Sequence, residues 1–363
     1  LILSPRALRI IRPSVPDKRV RWMIPQHDFL ALTRRHEWQL EPFSFDLPDG
    51  ARASVWDTGV LCLEPASGAG DLPGGRKDIV LSCGIHGNET APIEICNQLL
   101  SRLLSGELRA CHRVLFLFGN PAAMNLGVRE VEENMNRLFS GAHSKGEGLC
   151  NQERIRAMRL EQYVSRFFAD PARPRYHYDL HTAIRGSRHE KFAVYPFPHE
   201  RPHCKEQVQF LGACGVRTIL LSSGPTTTFS YYSSHRHGAH AFTVELGKVR
   251  PFGENDMTRF IETRQALQDL VTRDEVVLEP WRADDFTIFA IDRVINKRSE
   301  QFRFLFASDV DNFTEFPQGF VLAEDGELRY TVEKPREAVV FPNANVAIGQ
   351  RTVLLVVPTR LWE

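Results

Sequence analysis

The chain has 363 residues, 42% of them hydrophobic and 25% charged, which is the composition of an ordinary globular protein long enough for one large domain and a smaller one. Its 45 basic residues are balanced by 45 acidic ones, so no overall field draws in nucleic acid or an anionic membrane, though a locally basic site fits inside that balance. The seven cysteines (62, 83, 96, 111, 150, 204, 214) are scattered and never spaced CxxC, which argues against a disulfide framework or a cysteine zinc site and fits a reducing cytoplasm.

Residues 1–22 are Arg-rich, contain no long apolar stretch and do not read as a secretory signal. The run from Met23 looks like a natural start, so 1–22 are expected to be an upstream extension, with 1–43 as a lead-in to the fold. No segment approaches the roughly 18–20 apolar residues of a membrane span.

From Phe43 onward, short apolar runs alternate with helical patterns. DIVLSC (78–83), RVLFLFGN (113–120), YHYDLH (176–181), VRTILLSS (216–223) and HAFTVEL (240–246) read as strands; 91–106, 151–170, 203–215 and 254–274 read as helices. Near-continuous apolar strands separated by helices predict an α/β domain over 44–274, with a mostly parallel sheet covered on both faces. After Asp274 come short β-type segments broken by Pro, Gly and Asp, so 275–363 reads as a smaller β-rich C-terminal domain.

Four strand ends carry chemistry. In CGIHGNETAPIEI (83–95), His86 and Glu89 lie three apart across a Gly-rich turn that follows a strand and opens a helix. Ligands gather at that edge of an α/β sheet, and an imidazole and a carboxylate at that spacing suit one zinc ion. The same pair would also suit a helix N-terminus where Glu89 only complements the dipole. His181 in YDLHTAIRGS supplies a third ligand and leaves one zinc position open, as catalysis requires. Asp179 either faces away or hydrogen-bonds the ligand shell. Glu245 sits on the apolar strand AFTVELGK, where a carboxylate is either a general base beside a metal-activated water or an ion-pair partner of Lys248 or an arginine. The fourth end, 119–140, brings Arg129, Asn136 and Arg137 to the same edge, where guanidinium groups bind carboxylates and stabilise oxyanions. His235, His237 and His240 fall in a Ser/Gly-rich connection and read as loop residues.

GIHGNE, NP…GxRxxxxNMNR, DLHTAIRGS and TVELGK…PFG, in that order, with FPNANVAIGQ near the C-terminus, resemble the succinylglutamate desuccinylase/aspartoacylase family, related to the zinc carboxypeptidases. The resemblance spans about residues 44–363. It implies a three-layer α/β/α carboxypeptidase-like core, a C-terminal domain narrowing access, and one zinc ion per subunit on His86, Glu89 and His181. It also implies Glu245 as acid/base, Arg129 as oxyanion stabiliser, and Asn136 with Arg137 as the grip on a substrate carboxylate. Arg185 takes an extra substrate carboxylate or forms a structural ion pair, and Asn134 departs from the DxNR form common in aspartoacylase-like proteins. The implied reaction is hydrolysis of N-succinyl-L-glutamate, the last step of the arginine succinyltransferase route. The alternatives are another N-acyl amino acid, a peptide carboxyl terminus, or a non-catalytic zinc or ligand-binding relative. The expected partner is a small acidic N-acyl amino acid rather than nucleic acid or membrane, and assembly as a homo-oligomer is compatible with the sequence.

Overall fold

The structure, a computed structural model, describes residues 24–66, 75–146 and 150–362; the expected upstream extension lies outside them. Asp28 opens α1 (Phe29–Arg35) by accepting from the Ala31 N–H. An antiparallel meander follows, β1 (Phe43–Asp46), β2 (Arg52–Asp57) and β3 (Val60–Glu64). β4 (Asp78–Cys83) is buried at all six positions, as a central parallel strand must be. It leads into α2 (Thr90–Leu104), β5 (Arg113–Phe118), α3 (Pro121–Leu126) and α4 (Gln152–Phe167). β6 (Arg175–Ala183), β7 (Phe192–Tyr195), α5 (Lys205–Ala213), β8 (Thr218–Leu221), α6 (Phe229–His237), β9 (His240–Lys248) and α7 (Ile261–Thr272) complete the α/β part.

After one 3-10 turn at Ala283–Asp285, the C-terminal region is built on strands: β10 (Thr287–Asn296), β11 (Arg303–Phe304), β12 (Thr314–Glu315), β13 (Val321–Asp325), β14 (Leu328–Thr331), β15 (Ala338–Val340) and β16 (Arg351–Thr359). Thirteen strands form one sheet in the order β1-β2-β3-β5-β4-β6-β9-β7-β8-β10-β16-β15-β12, and β11-β13-β14 form a second.

Two apolar cores cover the two faces of the sheet. One is built by α2, α5 and α7 on Ile79, Leu81, Tyr178, Leu180, Phe242 and Val244. The other is built by α4 and α6 on Val60, Val80, Leu115 and Leu117. The layering expected from the sequence is present, but the sheet is mixed rather than mostly parallel. Seven of its twelve neighbour pairs are antiparallel. Parallel pairing is confined to β5-β4-β6-β9 and β7-β8-β10. The cause is threefold: the antiparallel meander attaches at β5, β7 inserts antiparallel beside β9, and β16, β15 and β12 of the C-terminal region continue antiparallel from β10. EVVLEPW (275–281) forms no strand, and the connection containing His235 and His237 is helical, capped by the Thr228 hydroxyl and ended by Gly238 at φ 65°. No helix among the described residues is long and apolar enough to cross a membrane.

Candidate metal centre and active site

The parallel block β5-β4-β6-β9 aligns its carboxyl ends, and the register sets side chains opposite one another: Ser82 beside Asp179, and His181 beside Glu245. After β4, Gly84 turns the chain at φ 64°, a conformation that costs glycine nothing. Gly87 then lies flat on the next connection. A Cβ there would stand 2.2 Å from the Ala123 carbonyl carbon, so only glycine lets the His86 turn seat. The Gly87 N–H donates to the Arg129 carbonyl (3.0 Å), tying the two strand-end loops together.

Glu89 occupies the position preceding α2, but its side chain does not cap the helix. It points inward instead. Its Oε1 lies 2.8 Å from His86 Nδ1 and its Oε2 lies 2.9 Å from His181 Nδ1. All three side chains are buried, and among the described residues they are the one group of three or more His, Cys, Asp and Glu whose donor atoms all lie within 4.8 Å of one another.

The outer nitrogens decide what the inner ones do. His86 Nε2 faces Asn134 Oδ1 at 3.0 Å and His181 Nε2 faces Asp179 Oδ2 at 2.9 Å, both acceptors. Each Nε2 is thereby a donor, which leaves each Nδ1 able to give a bound metal its lone pair; without a metal, the same Nδ1 atoms are hydrogen-bond partners of the two Glu89 oxygens. A buried N2O donor set with inward lone pairs fits a divalent metal with an open position. Burial acts to raise the Glu89 carboxyl, but His86 and His181 on either side outweigh it and hold it well below the usual range.

Glu245 is brought to the same centre. It is only 7% exposed, and its Oε2 has no hydrogen-bond partner. Burial, reinforced by the charge of Glu89, pushes its carboxyl up to about 7. The alternative of an ion pair with Lys248 is not realised: no salt bridge forms at Glu245 among the described residues. Arg129 reaches in to donate from Nη1 to Glu89 Oε1 (2.6 Å). Its loop is held by Glu153 of α4, whose Oε1 accepts from the Val131 N–H at 2.6 Å. Asn136 is buried, with Nδ2 at 3.5 Å from His181 Nε2 and Oδ1 accepting from the Phe229 N–H at the start of α6. Arg137 donates to the Asn136 carbonyl, and burial together with the charge of Arg129 pulls it down to about 10.

Arg185 does not join this group. Its guanidinium donates to the carbonyl oxygens of Ser308, Val310 and Pro342, so it clasps the C-terminal region. The structural ion pair, one of the two roles expected from the sequence, does not form among the described residues.

One role and one residue were missed. Asn134, singled out in the sequence only for its departure from DxNR, supports His86, and no spacing rule announces that. Arg351, at the start of β16, lies over the Phe341 ring, and burial with the charge of Arg137 pulls it down to about 9. It comes from the far end of the chain, and the only hint in the sequence is that it directly follows FPNANVAIGQ.

Family models match twice: the succinylglutamate desuccinylase/aspartoacylase catalytic domain over residues 76–271, and the barrel-sandwich hybrid domain of the same family over 284–359. A succinylglutamate desuccinylase from Shewanella sp. (strain MR-7) is 53% identical over 340 residues, covering 93% of this chain and 97% of the relative. Solved structures of succinylglutamate desuccinylases from Vibrio parahaemolyticus and Chromobacterium violaceum superpose with TM-scores of 0.81 and 0.80 at 34% and 38% identity. They cover 92% of this chain, and 95% and 98% of their own. With a matching domain pair, a relative alike over nearly its whole length and the same fold, this chain belongs to the succinylglutamate desuccinylase/aspartoacylase family.

Proposed function

We propose that this chain is a zinc-dependent amide hydrolase that converts N-succinyl-L-glutamate and water to succinate and L-glutamate, closing the arginine succinyltransferase route in a reducing cytoplasm. The chemistry is assigned to a carboxypeptidase-like core over 44–274, with 275–363 as the domain that narrows access. The observation that carries the reading is the buried His86–Glu89–His181 set beside Glu245, whose carboxylate Oε2 has no hydrogen-bond partner.

Zinc held by His86, Glu89 and His181 supplies Lewis acidity, acidifying water and polarising the scissile carbonyl. Glu245 takes the proton of the attacking water and returns it to the leaving amine, a role that suits a carboxyl raised into the neutral range. Arg129 donates to the developing oxyanion, and Asn136 Nδ2 is placed to hold the substrate beside it. The substrate brings three carboxylates. Arg137 and Arg351, each disfavoured as a cation in the substrate-free protein, form a region that draws an anion.

Metal analysis joined to an assay on three substrates tests this. Succinylglutamate is expected to have the highest kcat/KM, ahead of N-acetylaspartate and of a peptide carboxyl terminus. A preference for either of the others would move the activity within the family, and zinc-replete protein with no turnover on any of them would leave a binding protein.

A further inference from the structure

Behind the metal centre runs a line of buried polar side chains that the reaction does not use. Positions 177, 179 and 181 alternate along β6 and so face the same side of the sheet. Ser82 stands next to Asp179 on the neighbouring strand, and α6 lays Ser233 over His177. Ser82, His177, Asp179, His181 and Ser233 are all at most 1% exposed. The Phe229 ring packs edge-on against the His177 imidazole at 4.7 Å and closes off that side.

We propose that Ser82, His177 and Ser233 are positioning residues for the metal centre, forming a directed hydrogen-bond relay that holds Asp179, and through it the Nδ1-ligating tautomer of His181. The proposal rests on the reading of His181 as a metal ligand.

The direction follows from counting hydrogens. The Asp179 carboxylate only accepts: Oδ2 takes the His181 Nε2–H at 2.9 Å, and Oδ1 takes the Ser82 hydroxyl at 2.5 Å. Ser82 has then spent its one hydrogen, so its oxygen accepts from His177 Nε2 at 2.8 Å. His177 Nδ1 is therefore bare and accepts the Ser233 hydroxyl at 2.7 Å. Reversing any one bond sets two donors or two acceptors against each other in a dry site, where an unmatched polar group is expensive. By holding an acceptor at His181 Nε2, the relay favours the tautomer whose Nδ1 can ligate a metal placed between it and Glu89 Oε2.

The test uses the full chain, stripped of metal and titrated with Zn(II) against a chelating indicator and with Co(II) followed by its visible absorption. Ser82→Ala is expected to weaken zinc binding by about 10–100-fold and to alter the Co(II) spectrum. Ser233→Ala should weaken it less, and Ser82→Cys, which keeps a weak donor, should recover part of the loss. The metal-free Ser82→Ala protein should melt lower, because the change strips His177 Nε2–H and Asp179 Oδ1 of their partner, but zinc affinity should fall by more than that loss of stability accounts for. In 15N-histidine spectra, assigned with His177→Gln, His177 should appear as the Nε2–H tautomer. Unchanged affinity and spectrum in both alanine variants, affinity lost only in step with melting temperature, or an Nδ1–H His177 would each overturn the relay while leaving the metal centre intact. Failure of the unaltered protein to take up zinc would remove the metal centre, and the relay with it.

Discussion

Glu245 joins near-complete burial to a carboxylate oxygen without a partner, a combination that costs free energy unless the site uses it. Glu245→Gln removes the proton acceptor but keeps the shape. It is expected to lower kcat by about 10²–10⁴-fold with zinc content unchanged, read by steady-state kinetics beside metal analysis. Arg351 separates function from stability in the opposite sense. Its charge is disfavoured by burial and by Arg137, so Arg351→Met should raise the melting temperature of the substrate-free protein by about 1–3 °C. The same change should cut kcat/KM on succinylglutamate by about 30-fold or more, the scale of removing one partner of a buried charge pair. A melting temperature that falls with turnover untouched would make Arg351 a packing residue.

Among the elements, the turns after the strands set the chemistry. Gly87→Ala drives a methyl into the backbone at Ala123 and Met124, which must lift the His86 turn or the α3 connection. A destabilisation of about 1–3 kcal/mol is expected together with weaker zinc binding, measured by denaturant unfolding and metal titration. Arg185 ties the end of β6 to three carbonyls of the C-terminal region. Arg185→Ala should loosen that contact, showing as faster proteolysis within 300–345 and a lower melting temperature. A raised KM for succinylglutamate with proteolysis unchanged would return the residue to the substrate. Helix α6, expected from its Ser, His and Gly content to be a loop, shows why composition misleads at such places. Its residues are poor helix formers, and the structure seats Phe229 and Tyr232 in the apolar core, so burial decides.

Across the whole molecule, the mixed sheet is one body in which β10 of the C-terminal region pairs with β8, and this continuity brings Arg351 toward Arg137. The same packing buries titratable groups far from the site. His112 accepts at Nδ1 from the Lys77 N–H and donates from Nε2 to the Asp274 carbonyl; burial, then Lys77, pull it down to about 4. Because the unfolded chain binds this proton more readily than the folded one, His112 contributes stability that is present above pH 6.5 and lost as pH falls toward 4. Urea midpoints measured across that window should fall less steeply in His112→Asn, which keeps an acceptor in place of Nδ1 and removes the titration. Equal slopes would contradict it.

The positions of the donors were legible in the sequence because each depends on local order. His86 and Glu89 are three residues apart on one turn, and His181 and Glu245 end apolar strands whose pattern already announces a sheet. The two covered faces of the sheet were legible for the same reason. What only the tertiary structure decided is everything that depends on neighbours distant in the chain. It set the antiparallel insertion of β7, the commitment of Arg185 to backbone carbonyls, the approach of Arg351 to Arg137, and the line from Ser233 through His177 and Ser82 to Asp179. Local pattern says which face of an element is buried; the partner that a buried polar or charged group finds there is settled by packing, where no spacing rule reaches.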